Sequence, residues 1–173
     1  NPSQTFPYFN PILSAAESLD IEFSYTYAGN LNTHVQRILI DSSHAHGGKV
    51  ILGIAATMYN SSAYAAMDYI TQDSTRCQTF VNSYVAYLQR KGYDGVDVNW
   101  EFPSSSQKSN YMRMMRIFRR ALANMGTYNG VVLGNNGKGI LTQTSYPYNR
   151  PLPANQWFVA SELDTLIDFI MPE

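Results

Sequence analysis

Short apolar or β-branched runs alternate along the chain with longer stretches in which hydrophobic side chains recur at helical spacing. Ile21 to Tyr27, Lys49 to Ala55, Gly95 to Trp100, Gly139 to Thr144 and Ile167 to Met171 read as strands, each short and bounded by Gly, Pro, Asn or Asp. Between them, Leu31, Val35, Ile38 and Leu39 share one helical face, and Phe80, Val81, Tyr84, Val85 and Leu88 share another. The strongest helical pattern runs from about Gln107 to Met125. There Tyr111, Met114, Met115, Phe118 and Leu122 form an apolar stripe and leave Arg113, Arg116, Arg119 and Arg120 for a solvated face. Gly92 and Gly126 each follow a helical pattern, the place where a residue able to take positive φ ends a helix. Strands alternating with helices in this way are expected to form a parallel sheet with crossover helices, an α/β fold with each apolar helix face packed on the sheet.

One strand departs from the apolar pattern. In the segment Tyr93-Asp94-Gly95-Val96-Asp97-Val98-Asn99-Trp100-Glu101-Phe102-Pro103, polar residues occupy every second position. Alternate side chains of a strand share a face, so Asp97, Asn99 and Glu101 project together while Val96, Val98 and Trp100 face the other way. A wet edge strand would show the same alternation. This run lies between two long amphipathic helices, which favours a central strand, where carboxylates are costly to bury unless paired, hydrogen-bonded or protonated. Glu101 falls at the carboxyl end of the strand, where barrel enzymes carry their catalytic groups.

Composition narrows the picture without changing it. With 173 residues and 45% apolar content the chain can bury one core, as one domain or part of one. Twelve basic and thirteen acidic side chains nearly cancel, so no sequence-wide field favours nucleic acid or an anionic membrane, and no apolar run is long enough to span a bilayer. Thirteen tyrosines offer ring faces of the kind that stack on sugars. Cys77 is alone, so no internal disulfide forms, and its helical surroundings suggest a buried structural thiol. The chain opens at Asn1 without a signal-peptide pattern, and Asn60-Ser61-Ser62 matches a glycosylation sequon. His34, His44 and His46 have no zinc-like spacing to other ligands, so no metal or cofactor is expected.

Asp94, Gly95, Asp97 and Glu101, with Trp100 before the glutamate and Phe102-Pro103 after it, resemble the DGxDxDxE signature of the family 18 glycoside hydrolases, the chitinases and their relatives. Lys49 to Ala56 resembles that family's third strand, Ser61 to Leu88 the segment and helix after it, and Asn110 to Leu122 the helix after the catalytic strand. The resemblance covers most of residues 20 to 171. It implies a (β/α)8 TIM-barrel type of fold, with residues 1–173 as a single partial barrel domain of about five strand–helix units and a catalytic strand at about 94–101. An open sheet would leave unpaired edges, which self-association or a partner chain would cover.

The resemblance also implies a chemistry. Glu101 would protonate the leaving oxygen of a β-1,4-linked N-acetylglucosamine polymer, and the substrate's own acetamido carbonyl would attack the anomeric carbon in place of an enzyme nucleophile. Asn99 and Asp97 occupy the positions that orient and support the acetamido group, Asp94 and Gly95 form the structural start of the motif, and Tyr25, Trp100 and Met171 are the candidates for sugar contact. The route needs no metal, and the resemblance implies an extracellular setting. Three departures stand out. Asn99 replaces the family's last aspartate and brings no charge to a developing cation. Gly53-Ile54-Ala55-Ala56 stands where the third strand usually ends in Ser-x-Gly-Gly, and after Met171 the chain reads Pro172-Glu173 where the family continues to a tyrosine. The readings that follow are a slow hydrolase, favoured by the retained Glu101, a chitin-binding lectin without turnover, and a purely structural protein.

Overall fold

The computed structural model describes residues 33–57, 61–145 and 158–172. Its elements are α1 (Thr33–Ala45), β1 (Ile51–Thr57), α2 (Ser61–Gln72), α3 (Ser74–Lys91), β2 (Gly95–Glu101), a 3-10 turn (Ser105–Gln107), α4 (Lys108–Ala121), β3 (Thr127–Tyr128), β4 (Val131–Val132), β5 (Ile140–Ser145), α5 (Ala160–Leu166) and β6 (Phe169–Pro172). The expected strand at Ile21 to Tyr27 and the sequon asparagine Asn60 lie outside the described residues.

Four strands form a parallel sheet in the order β1–β2–β5–β6, in sequence order apart from the small β3–β4 hairpin that interrupts the chain. The alternation of strand and helix therefore gives the expected sheet, with each strand laid beside the last. β1 starts two residues later than its apolar run suggests, because pairing begins where Ile51 meets Gly95. Val50 N instead donates to the Asp94 carboxylate, at 2.8 Å.

One face of the sheet is apolar. Ile54, Val96, Val98, Trp100 and Leu141 are at most 1% exposed and join a core with Phe80, Tyr84 and Leu88 of α3 and Tyr111, Met115 and Phe118 of α4. Phe118 meets Phe80 and Tyr84 edge to face, with ring centroids 6.4 and 6.1 Å apart. Burying each such side chain contributes about 1.5–3 kcal/mol, so the apolar stripes of α3 and α4 supply much of the drive for packing on the sheet. α3 begins at Asp73, whose carboxylate accepts from Arg76 N at 2.8 Å, and ends at Gly92, whose φ of 87° is the left-handed cap expected there.

Three expectations need correction. Gly126 does not cap α4, which ends at Ala121. With a φ of 69° it leads into the β3–β4 hairpin, closed by Asn129 and Gly130 with φ of 48° and 82°. Two positive φ values in a two-residue loop define the turn that Asn-Gly favours, a signal present in the sequence as Tyr128-Asn129-Gly130-Val131. In α1, Ile38 and Leu39 are each 52% exposed, while Gln36 and Ile40 are buried. The row Gln36–Ile40–His44 turns inward because the His44 ring bonds the buried Asp94 at 2.9 Å, a polar anchor that apolar spacing does not reveal. The arginines of α4 are not a uniformly solvated face. Arg120 is exposed, but Arg113 donates to the Thr71 carbonyl, Arg116 pairs with Glu162, and Arg119 reaches Asp168 at 3.0 Å. Their guanidinium heads find acceptors on α2, on α5 and just before β6.

Cys77 is buried in α3 as expected, and burial pushes its thiol up to about 11. Because the thiolate is the reactive species, the folded chain is expected to resist a disulfide-exchange reagent such as DTNB at pH 8 and to react with one equivalent only after denaturation. Rapid labelling of the native chain would contradict this packing.

Candidate active site

The polar row of β2 lies on the face opposite the helices. Val96, Val98 and Trp100 enter the core, while Asp97 and Glu101 are 8% and 6% exposed on the other side with Asn99 half-buried between them. This is the alternation read from the sequence, now flanked by defined neighbours. On β1 the residues in register with Asp97 and Asn99 are Gly53 and Ala55, so the departure from the family's Ser-x-Gly-Gly still leaves small side chains along that flank. On β5, Thr144 Oγ1 donates to Asp97 at 2.6 Å, and Thr142 Oγ1 donates to the other carboxylate oxygen. Both hydroxyls satisfy the buried carboxylate and turn it toward β5 rather than toward Asn99.

The base of β2 is held by Asp94, which is 0% exposed. Its Oδ2 accepts from Val50 N at 2.8 Å and His44 Nε2 at 2.9 Å, and its Oδ1 from Gly134 N at 2.8 Å, with Lys49 Nζ 3.2 Å away. Burial by itself raises the carboxyl's pKa, but these hydrogen bonds outweigh it and hold the group below its ordinary value. Gly95 is dictated by a close approach, because a Cβ there would lie 2.0 Å from the Ile140 carbonyl oxygen of β5. Asp94 and Gly95 thus set the register in which Asp97 meets its threonines. At the other end the Glu101–Phe102 peptide bond is cis.

The remaining candidates divide. Met171 pairs with Thr144 in the parallel register, which puts it on the polar face beside the site, 39% exposed. Trp100 must be withdrawn as a sugar contact. It is 1% exposed, faces away from Glu101 and packs between Tyr64 and Tyr111, with centroids 5.9 and 6.2 Å away. Alternation forces this: an odd step along β2 from Glu101 points into the helix layer. Tyr25 lies outside the described residues. Thr142 and Thr144 were missed, because the run Thr142-Gln143-Thr144-Ser145 is polar at every position and offers no alternation to show which side chains share the face of Asp97. Among the described residues no group of three or more His, Cys, Asp or Glu side chains is arranged to hold a metal ion.

Residues 16–170 match the family described as glycosyl hydrolases family 18. The chain belongs to that family. Within family 18, a class V chitinase from Medicago truncatula is 29% identical over 111 residues, which is 64% of this chain and 28% of that protein. Nod factor hydrolase protein 1 of the same plant is 32% identical over 74 residues, covering 42% of this chain and 18% of that protein. The chain therefore spans less than a third of the length of these relatives. Among solved structures, a class V chitinase variant from Nicotiana tobaccum in complex with NAG4 superposes with a TM-score of 0.62 at 19% identity, over 82% of this chain and 38% of that one. Human YKL-39, described as a pseudo-chitinase with retained chitooligosaccharide binding properties, gives 0.62 at 18% identity, over 79% and 35%. At such identities these likenesses show the fold, and the described sheet and its helices are a sector of a (β/α)8 barrel.

Proposed function

We propose that the site hydrolyses β-1,4-linked N-acetylglucosamine oligomers and polymers by a substrate-assisted, retaining route. The observation that carries this reading is Glu101, 6% exposed at the carboxyl end of β2 on the same face as Asp97 and Asn99. In this reading the Glu101 carboxyl gives its proton to the glycosidic oxygen as that bond to the anomeric carbon breaks, and the substrate's acetamido carbonyl oxygen bonds the anomeric carbon. Water then attacks the anomeric carbon from the vacated side as its bond to the acetamido oxygen breaks. Glu101 takes the water's proton, the acetamido group is regenerated, and the starting configuration is restored. Asn99 accepts a hydrogen bond from the acetamido N–H through its amide oxygen. Met171 and Tyr25 contribute sugar contacts.

Asn99 limits the rate. A neutral amide does not match the positive charge of the cyclised intermediate, and Asp97, bound to Thr142 and Thr144, is aimed elsewhere. Restoring one preorganised electrostatic contact is worth roughly 10²–10³ in rate. Asn99→Asp is therefore expected to raise release from a fluorogenic chitooligosaccharide by about that factor, and an unchanged rate would show that Asn99 is not what slows the chain. The neutral Asn99 equally favours a second reading, a chitooligosaccharide-binding protein without turnover, as described for human YKL-39. Measurable binding with silence from both the chain and Asn99→Asp would select it. The proposal includes an extracellular setting and a second copy or partner chain along β6, where Phe169 and Ile170 are 48% and 50% exposed.

A further inference from the structure

We infer that Tyr64 is a positioning residue for Glu101, acting through the backbone carbonyl of Phe102. The inference rests on the reading of Glu101 as the proton donor. Tyr64 belongs to α2, not to the catalytic strand, and its hydroxyl donates to Phe102 O at 2.8 Å, one residue beyond the acid. The direction in which the chain leaves β2 at Phe102 sets the backbone from which the Glu101 side chain departs.

The hydroxyl is itself held in place. It lies 3.1 Å from Gln107 Oε1, and that oxygen also accepts from Ser104 N at 2.7 Å. The amide cannot turn over, because its Nε2 donates to Asp68 Oδ1 at 2.6 Å. Tyr64 and Asp68 stand four residues apart, hence on one face of α2, and together they grip the segment from Phe102 to Gln107 at both ends. The Tyr64 ring packs edge-on against Trp100 at 5.9 Å, so it reaches the strand from the core side while Glu101 projects on the other. Burial and the neighbouring charge of Asp68 push the Tyr64 phenol above its ordinary value, which keeps the hydroxyl a donor. Reaction geometry is sensitive to such a support, since displacing a reacting group by about 1 Å can cost on the order of 10²-fold in rate.

The test compares Tyr64→Phe with the parent chain. The ring and its packing remain, and the hydroxyl that donates to Phe102 O and faces Gln107 Oε1 is lost. Tyr84→Phe is the control, because Tyr84, buried where Tyr64 is half-buried, likewise donates to a strand carbonyl, Leu52 O at 3.3 Å, away from Glu101. On a fluorogenic chitooligosaccharide, Tyr64→Phe is expected to lower kcat by roughly 10–100-fold with KM nearly unchanged. It is also expected to move the carboxyl carbon NMR resonance of Glu101, which Tyr84→Phe should leave in place. An unmoved Glu101 resonance in Tyr64→Phe overturns the inference, as does an equal movement in Tyr84→Phe or, in a chain that turns over, an unchanged kcat. Absence of turnover in both the parent and Asn99→Asp would defeat the hydrolase reading separately, and the Glu101 resonance would still decide whether Tyr64 places the carboxyl.

Discussion

Glu101→Gln is expected to abolish turnover of chitooligosaccharides while leaving their binding within a few-fold of the parent. The change removes the transferable proton but keeps the length of the side chain and its hydrogen-bonding reach. General acid catalysis contributes about 10²–10⁴-fold, so the rate should fall at least that far below that of the parent. Affinity should not follow, since in the proposed mechanism ground-state binding does not draw on the Glu101 proton. Fluorogenic release measures the first quantity and calorimetric titration with a chitotetraose the second. Turnover that persists in Glu101→Gln would remove the acid from the mechanism, and a collapse of binding would make Glu101 a substrate contact rather than a proton donor.

The second large effect concerns stability. Asp94→Asn is expected to destabilise the fold by about 3–5 kcal/mol, the usual cost of breaking a buried, hydrogen-bonded charge. Val50 N, His44 Nε2, Gly134 N and Lys49 Nζ all converge on the carboxylate. An asparagine would turn an amide N–H₂ toward one pair of these donors and leave it unsatisfied in a site with 0% exposure. For a chain of this size each kcal/mol moves Tm by about 2–4 °C, so a drop on the order of 10 °C should appear in a thermal scan. The pH dependence has a definite sign. Because the folded carboxyl lies below its ordinary value, its contribution is complete above the ordinary carboxylate range and is lost as the pH falls through that range toward the folded value. The parent should lose stability below about pH 4 and Asp94→Asn should lose less there. Parallel acid limbs, or a Tm change within 2 °C, would show that the carboxylate is not the anchor of β2.

Much of this arrangement is legible in the sequence, and the reasons for the exceptions are physical. The two-residue period of Asp97, Asn99 and Glu101 settles which side chains share a face, because pleating leaves a strand no other option. The same period consigns Trp100 to the helix layer, so its nearness to Glu101 in sequence counts for nothing in space. The apolar stripes of α3 and α4 were readable because the core decides their orientation. Those of α1 were not, because a polar row that includes Gln36 and His44, with His44 bound to Asp94, turns inward on that helix. Partners distant in sequence left the weakest trace. Thr142 and Thr144 lie 45 and 47 residues from Asp97, and Tyr64 is 38 residues from Phe102. Nothing at either end of those pairs announces the other until the sheet has formed.

The most direct test of the proposed chemistry is the anomeric configuration of the first product. Proton NMR of chitotetraose during the earliest turnover by the parent chain, or by Asn99→Asp where the parent is too slow, reports it before mutarotation mixes the two forms. Attack by the substrate's acetamido group followed by water gives the β-anomer first, with the signal absent in Glu101→Gln. An initial α-anomer, or a β-anomer that still forms without the Glu101 proton, would contradict the account.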